Sequence, residues 1–316
     1  MISLGGKKKI RMFESVIPAT EKLPPIVTFI GIGAQKSATS WLHHALSFHP
    51  EIATSDPKEL NYFTGKYDRG TAWYERHFAD GTAAKAKGEC SPTYFFSSDA
   101  AQRAYNYNPN LRLIAVLRDP TERAWSNHLH EIRKGHIAET TSFEQGMARN
   151  PTYVSQSRYK ENLSRWIDIF GRDAMLVLLA EDIAVAPEVA FQSVCTHLGV
   201  DASFVPEGLA ERRHESVGSR SKAVQKVLRS SGDFARRMKF GGLVRSLKST
   251  KVTGRILALN RKDLRTAVTP MKEETRRGLV TTFQSDVDYV SDLLDRPMTC
   301  WKNWKPQNEE GGSGIS

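Results

Sequence analysis

The feature that most constrains this chain is a strand that empties through a small-residue turn into a helix. Ile26-Val27-Thr28-Phe29-Ile30-Gly31-Ile32 is an apolar run of strand type. It is followed by Gly33-Ala34-Gln35-Lys36-Ser37-Ala38 and then by a helical segment expected from Thr39 to about His49, where Pro50 stops it. Strand and helix patterns go on alternating to about Leu198 with no Pro/Gly/Ser-rich linker between them. That order predicts an α/β fold of P-loop-like build, with a central parallel sheet flanked by helices in three layers. Residues 26–305 are expected to form one domain, with a basic arm at 1–25 and a Gly/Glu/Ser-rich disordered tail at 306–316.

A turn of this kind is built to hold an anion. The first-turn amides of a helix have no intrahelical partner, and the helix dipole favours negative charge beside them. Lys36 adds a mobile cation, and Ser37, Thr39 and Ser40 add hydroxyl donors. The run is not the usual nucleoside-triphosphate pattern G-x-x-x-x-G-K-[ST], because Gln35 stands where that pattern has glycine.

A second signature follows. Leu111 to Leu117 reads as a buried strand, succeeded at once by Arg118-Asp119-Pro120 and a helix expected from Thr121 to about Lys134. Pro120 and Glu122 suit the first turn of that helix. Ser126 lies eight residues beyond Arg118. A guanidinium at a strand end and a hydroxyl two turns into the helix can converge on one phosphate.

Taken in order, these two motifs resemble those of sulfotransferases that use 3′-phosphoadenosine-5′-phosphosulfate (PAPS). Gln35-Lys36-Ser37-Ala38-Thr39-Ser40-Trp41 is similar to that family's 5′-phosphosulfate loop, with Ala38 in place of the usual glycine and Ser40 in place of the second threonine. The resemblance implies that Gln35 to Ser40 cradle the 5′-phosphosulfate, that Lys36 stabilises the leaving group, and that Arg118 and Ser126 hold the 3′-phosphate. Trp41 either stacks on adenine or packs in the core at the helix start. Lys58-Glu59-Leu60-Asn61-Tyr62-Phe63 and Gly88-Glu89-Cys90-Ser91-Pro92-Thr93-Tyr94 resemble two segments of the group that acts on glycosaminoglycans and of its bacterial relatives. In that group the glutamate matching Glu59 is the catalytic base. Ser157 to Asp182 and Met271 to Trp301 resemble the family's later helix, strand and closing tryptophan.

Two departures bear on the acceptor. The histidine that phenol- and steroid-sulfating relatives carry in the Gly88 to Pro92 segment is missing, which favours Glu59 as the base. Cys90 stands where several glycosaminoglycan enzymes have lysine. The implied reaction moves a sulfuryl group to a hydroxyl or amine of a sugar, lipid headgroup or secondary metabolite. The alternative is a kinase or other nucleotide-dependent transferase with a degenerate loop, which would need Asp119 as its magnesium ligand.

Charge and cysteines bound the remainder. Sixteen Lys/Arg against four Asp/Glu fall between Glu211 and Arg265, a surplus of twelve beside a net charge of +10 for the whole chain. Within this segment His214 to Lys222 matches a basic loop that closes over the cofactor phosphates in the family, which makes Arg220 and Lys222 candidate contacts. The region of about 211–268 is expected to be a basic helical lid, with membrane-surface contact through 211–265 as the other reading. No nucleic-acid recognition motif is present. Cys90, Cys195 and Cys300 have no C-x-x-C spacing, and the histidines have no metal-ligand spacing, so no metal site is expected. With no long apolar run and no signal-type segment, the chain is expected to be cytoplasmic. The sequence carries nothing on oligomeric state.

Overall fold

The computed structural model describes residues 24–81, 83–209, 217–219 and 261–304. Nearly all of the expected N-terminal arm, the C-terminal tail, Arg220, Lys222 and most of the basic segment lie outside the described residues.

Five strands, β1 (Phe29–Gly33), β2 (Ile52–Thr54), β3 (Ala86–Cys90), β4 (Arg112–Leu117) and β5 (Met175–Leu179), form one sheet in the order β2-β3-β1-β4-β5. All four pairings are parallel. The carboxyl ends of the strands therefore lie along one edge. The chain leaves the central β1 for strands on both sides of it, the kind of switch point at which open α/β sheets bind ligands.

Alternating residues of the central strands feed two separate cores, as a sheet covered on both faces requires. On one face Ile30, Ile32, Leu113, Ala115 and Leu117 pack with Trp166 and Val290. They are covered by α3 (Ala100–Tyr107), α7 (Tyr159–Phe170) and α11 (Glu273–Leu294). On the other face Phe29, Ile114 and Val116 pack with Leu42, Phe191 and Val194 from α1 (Thr39–Leu46) and α9 (Pro187–Leu198). The expected three layers are present. α4 (Pro120–Lys134) follows β4, and its Trp125 and Leu129 pack on a third cluster with Phe143 of α5 (Phe143–Arg149), Tyr153 of α6 (Thr152–Ser155), Leu264 of α10 (Leu264–Ala267) and Phe283. The short helices α2 (Gly70–Glu75) and α8 (Ala180–Val185) complete the set. Val217–Ser219 (β6) pairs antiparallel with Arg261–Asp263 (β7), so part of the expected basic loop is a strand.

Local expectations hold with small shifts. α1 ends at Leu46, before the expected His49, and the His49 ring instead bonds the carbonyl of Asp201 at 2.9 Å. Gly33 closes β1 at φ +145, where an added Cβ would lie 2.6 Å from the Phe95 Cβ. The strand-to-loop exit therefore needs glycine on both conformational and steric grounds.

Candidate functional site

The loop after β1 folds into an anion cradle by a route that the side chains explain. Lys36 and Ala38 both take left-handed backbone conformations, with φ of 72 and 66. The second angle is the physical reason that glycine suits position 38, since a Cβ costs about 1–2 kcal/mol there. Ala38 is the N-cap of α1 and supplies no side-chain cap, and the first turn carries no acidic residue. The helix N-terminus is thus left available for an external anion. Ser37 is wholly buried in the same loop, and its Oγ has no hydrogen-bond partner among the described residues. A buried hydroxyl without a partner in an anion loop is what a phosphate oxygen would satisfy. Thr39 is buried, whereas Gln35, Lys36 and Ser40 are half-buried along the loop.

Lys36 Nζ lies 3.4 Å from His130 Nδ1, and Arg133 reaches the same nitrogen at 3.0 Å. Both neighbours are donors, so Nδ1 has to be the acceptor. His130 is one turn along α4 from Ser126, on the same helix face, which turns that face toward the cradle. Ser126 is buried there.

Arg118 leaves β4 on the same sheet edge. Its carbonyl accepts a 2.7 Å bond from the Tyr159 hydroxyl, and its guanidinium makes a long 3.9 Å pair with Glu122. Arg276 and Arg265 also face Glu122, at 3.2 and 3.6 Å. Burial by itself would raise the Glu122 carboxyl, but the three guanidiniums, Arg118 foremost, hold it below the ordinary carboxylate range. Asp119 is fully engaged: Oδ1 accepts from the amides of Thr121 and Glu122, and Oδ2 from the backbone and side-chain nitrogens of Asn303. Glu181, just beyond β5, accepts from the Asp119 amide at 3.2 Å and from the Trp301 indole at 3.0 Å. That bond gives the closing tryptophan and the Glu181-Asp182 stretch a shared purpose, which is to fix the turn that carries Arg118.

Glu59 lies on the loop after β2 at the same edge, 45 % exposed, with Lys58 Nζ 2.6 Å from its carboxylate. Lys58 Nζ also donates to Ser40 Oγ at 3.2 Å. Lys58 therefore ties the Glu59 loop to the anion cradle. Behind the loop, Glu89 is fully buried and burial pushes its carboxyl up, although Ser91, Tyr94 and the Leu60 amide all donate to it. Trp41 packs against the apolar core beside α1, and its indole donates to the Leu209 carbonyl at 2.9 Å. Cys90 is buried beneath the sheet edge with its thiol pushed up to about 12 by burial, so that position presents an inert packing group.

Anion cradle, strand-end arginine and exposed carboxylate thus meet on one edge of a doubly covered parallel sheet. The family model for the sulfotransferase domain matches residues 28–240, about two thirds of the chain. This chain belongs to the sulfotransferase family. Among curated sulfotransferases, the membrane-associated sulfotransferase kil1 of Dictyostelium discoideum is 37 % identical over 130 residues, which cover 40 % of this chain and 28 % of that protein. The human bifunctional heparan sulfate N-deacetylase/N-sulfotransferase 3 is 28 % identical over 192 residues, covering 54 % of this chain and 22 % of that protein. The chain thus spans only about a quarter of the length of these relatives. A solved sulfotransferase from Alicyclobacillus acidocaldarius superposes with a TM-score of 0.63 at 23 % identity, covering 87 % of this chain and 98 % of that one, and shares its fold. Among the described residues no helix is long and apolar enough to cross a membrane.

Along this edge of the sheet lie Lys36, Ser37, Thr39, Ser40, Glu59, Arg118 and Ser126. Sequence reasoning passed over Lys58 and His130. His130 carries a usable signal in its four-residue spacing from Ser126 on a helix. Lys58 carried none, because a lysine beside a glutamate reads as a solvated pair until the fold brings Ser40 to it.

Proposed function

We propose that this chain transfers a sulfuryl group from PAPS to a hydroxyl or amine of a sugar, lipid headgroup or secondary metabolite. The observation that carries the reading is the orphaned Ser37 hydroxyl in a basic, uncapped helix N-terminus, on the same sheet edge as Arg118 and Glu59. The donor supplies a sulfuryl group on a 5′-phosphate together with a 3′-phosphate, and the chain's residues are read against those two anions.

Ser37, Thr39 and Ser40, with the amide of Ala38, hold the 5′-phosphate oxygens, and Gln35 flanks them; the Ser37 amide, expected to join them, donates instead to the Ala34 carbonyl at 3.3 Å. Lys36 lies where a cation neutralises the negative charge that builds on the leaving phosphate, so no metal ion is required for that task. Arg118 and Ser126 hold the 3′-phosphate, with Arg220 and Lys222 as further phosphate contacts from outside the described residues. Trp41, in the first turn of α1, is read as a stacking partner for adenine, while its bond to Leu209 also serves packing. Glu59 accepts the proton of the acceptor hydroxyl or amine, a role that usually contributes about 10²–10⁴-fold in rate. Its exposure leaves it open to an acceptor, and Lys58 keeps its carboxylate beside Ser40. Residues 26–305 are taken as one catalytic domain in a reducing compartment, which the free cysteines suit.

The kinase reading is disfavoured by Asp119. Both of its oxygens are committed to the α4 cap and Asn303, so the strand-end carboxylate has no lone pair directed at a magnesium ion. Thermal shift separates the two readings. 3′-Phosphoadenosine 5′-phosphate (PAP) should raise the melting temperature without magnesium and ATP with magnesium should not; the reverse result would overturn the proposal.

A further inference from the structure

The Glu59 loop is held by an unusual device. Four successive backbone amides, Leu60 to Phe63, all donate to side chains of the segment that follows β3 or ends it. Leu60 N bonds Glu89 Oε2 at 3.0 Å, and Asn61 N bonds Ser91 Oγ at 2.9 Å. Tyr62 N bonds the Tyr94 hydroxyl at 2.8 Å, with Phe63 N a weaker 3.4 Å partner of the same oxygen. The two hydroxyls in turn donate to Glu89, Ser91 at 2.5 Å and Tyr94 on the other carboxylate oxygen. Asn61 closes the turn from within: its side-chain nitrogen bonds the Glu59 carbonyl at 2.9 Å, and its side-chain oxygen accepts from Thr93 Oγ1 at 2.7 Å. The loop needs such support, because Glu59 and Asn61 sit at φ of 65 and 54, a conformation that non-glycine residues keep only when their surroundings over-determine it.

We propose that Glu89 is the positioning residue for Glu59, setting the proton direction in Ser91 and Tyr94 so that both hydroxyls present lone pairs to the loop amides. Three donors converge on Glu89, the Leu60 amide and the two hydroxyls, and oppose the upward pull of burial on its carboxyl; as a carboxylate it only accepts. Both hydroxyls therefore turn their protons onto Glu89, which leaves their oxygens free to receive Asn61 N and Tyr62 N. A glutamine of the same size would put an NH₂ against one hydroxyl. In the Oε2 place that NH₂ also meets the Leu60 amide donor against donor, and in the Oε1 place it is a third N–H on the Tyr94 oxygen, which already accepts from Tyr62 N and Phe63 N. One link of the loop is then lost without any change of volume, and the Glu59 carboxylate moves. The inference rests on the reading of Glu59 as the base. A misplacement of about 1 Å can cost as much as a hundredfold in rate.

The test compares wild type with Glu89→Gln, Ser91→Ala, Tyr94→Phe, Glu59→Gln and the Glu59→Gln/Glu89→Gln double variant, all as the full chain. Hydrogen exchange of amides 60–63, PAP affinity, and transfer of radiolabelled sulfate from PAPS to N-desulfated heparin as probe are followed. Expected for Glu89→Gln are faster exchange confined to 60–63, unchanged PAP affinity, a roughly tenfold to hundredfold lower kcat with little change in KM, and no further loss of rate in the Glu59→Gln background. Tyr94→Phe and Ser91→Ala should reproduce the exchange effect if Glu89→Gln folds poorly. Unchanged exchange at 60–63, or a Glu89→Gln rate cost that persists in full when Glu59 is already glutamine, overturns the proposal. A Glu59→Gln protein with wild-type rate removes the base assignment instead and is read separately from the exchange data.

Discussion

Ser37→Ala is the sharpest perturbation of the proposed phosphate cradle, because its effects on the free and the bound protein should differ in sign. The side chain is wholly buried and its Oγ has no partner among the described residues, so the substitution removes no hydrogen bond from the free protein. A buried unsatisfied hydroxyl costs about 1–3 kcal/mol. Removing it should leave the melting temperature of the free protein unchanged or raise it. In the complex, the same hydroxyl donating to a phosphate oxygen contributes about 1.5–3 kcal/mol, as bonds to charged groups do. The Kd for PAP should therefore rise roughly 10- to 150-fold. Calorimetric titration reads the second effect and a thermal melt without nucleotide reads the first. A Kd within twofold of wild type would refute the placement of the phosphate at Ser37, as would a large fall in the melting temperature of the free protein.

Other outcomes follow from the same geometry. Arg118→Ala should weaken PAP about tenfold or more while sparing its 3′-dephospho analogue, and equal losses in a paired titration would count against a 3′-phosphate at that strand end. Ala38→Gly relieves a left-handed alanine at φ 66, so the melting temperature should rise by about 1–3 °C; a fall would mean that the loop adopts another conformation in solution. His43 is held down to about 4 from its ordinary 6.5, by burial first and by Lys58 next. The unfolded chain therefore binds this proton more readily than the folded one between those values, and stability should drop as pH falls from about 6.5 to 4. A His43→Gln protein should show a flatter acid limb in its melting temperature, and an unchanged slope would contradict the assignment.

Much of the site was legible as local pattern. The strand, turn and helix around Lys36 and the strand end at Arg118 are each contiguous in sequence. Their chemistry is carried by backbone geometry and by one or two side chains, so neighbours along the chain suffice to reveal them. Ala38 illustrates the limit of that reading: its departure from glycine is visible in the sequence, but only the observed φ of 66 shows what the departure costs. Glu89 marks a further limit. Its motif is readable, whereas its bond to the Leu60 amide, 29 residues away, is encoded by no local periodicity. Likewise Asp119 reads equally well as a helix cap or a metal ligand until Asn303, 184 residues on, closes its second oxygen.

The sequence alone determined the α/β class, the strand-turn-helix around Lys36, the eight-residue spacing of Arg118 and Ser126 and the residue types available for chemistry, because each depends on short-range spacing within one strand, turn or helix. Only the tertiary structure decided what those residues face. Parallel pairing in the order β2-β3-β1-β4-β5 brings the carboxyl ends of the strands to one edge, so residues from three separate segments, 36–40, 58–59 and 118–130, lie along it. It set Lys58 between Ser40 and Glu59, turned His130 to Lys36, and placed Glu89 behind the Glu59 loop. Such contacts arise from the register and order of strands, which are set by long-range packing on both faces of the sheet rather than by any residue's neighbours in the chain.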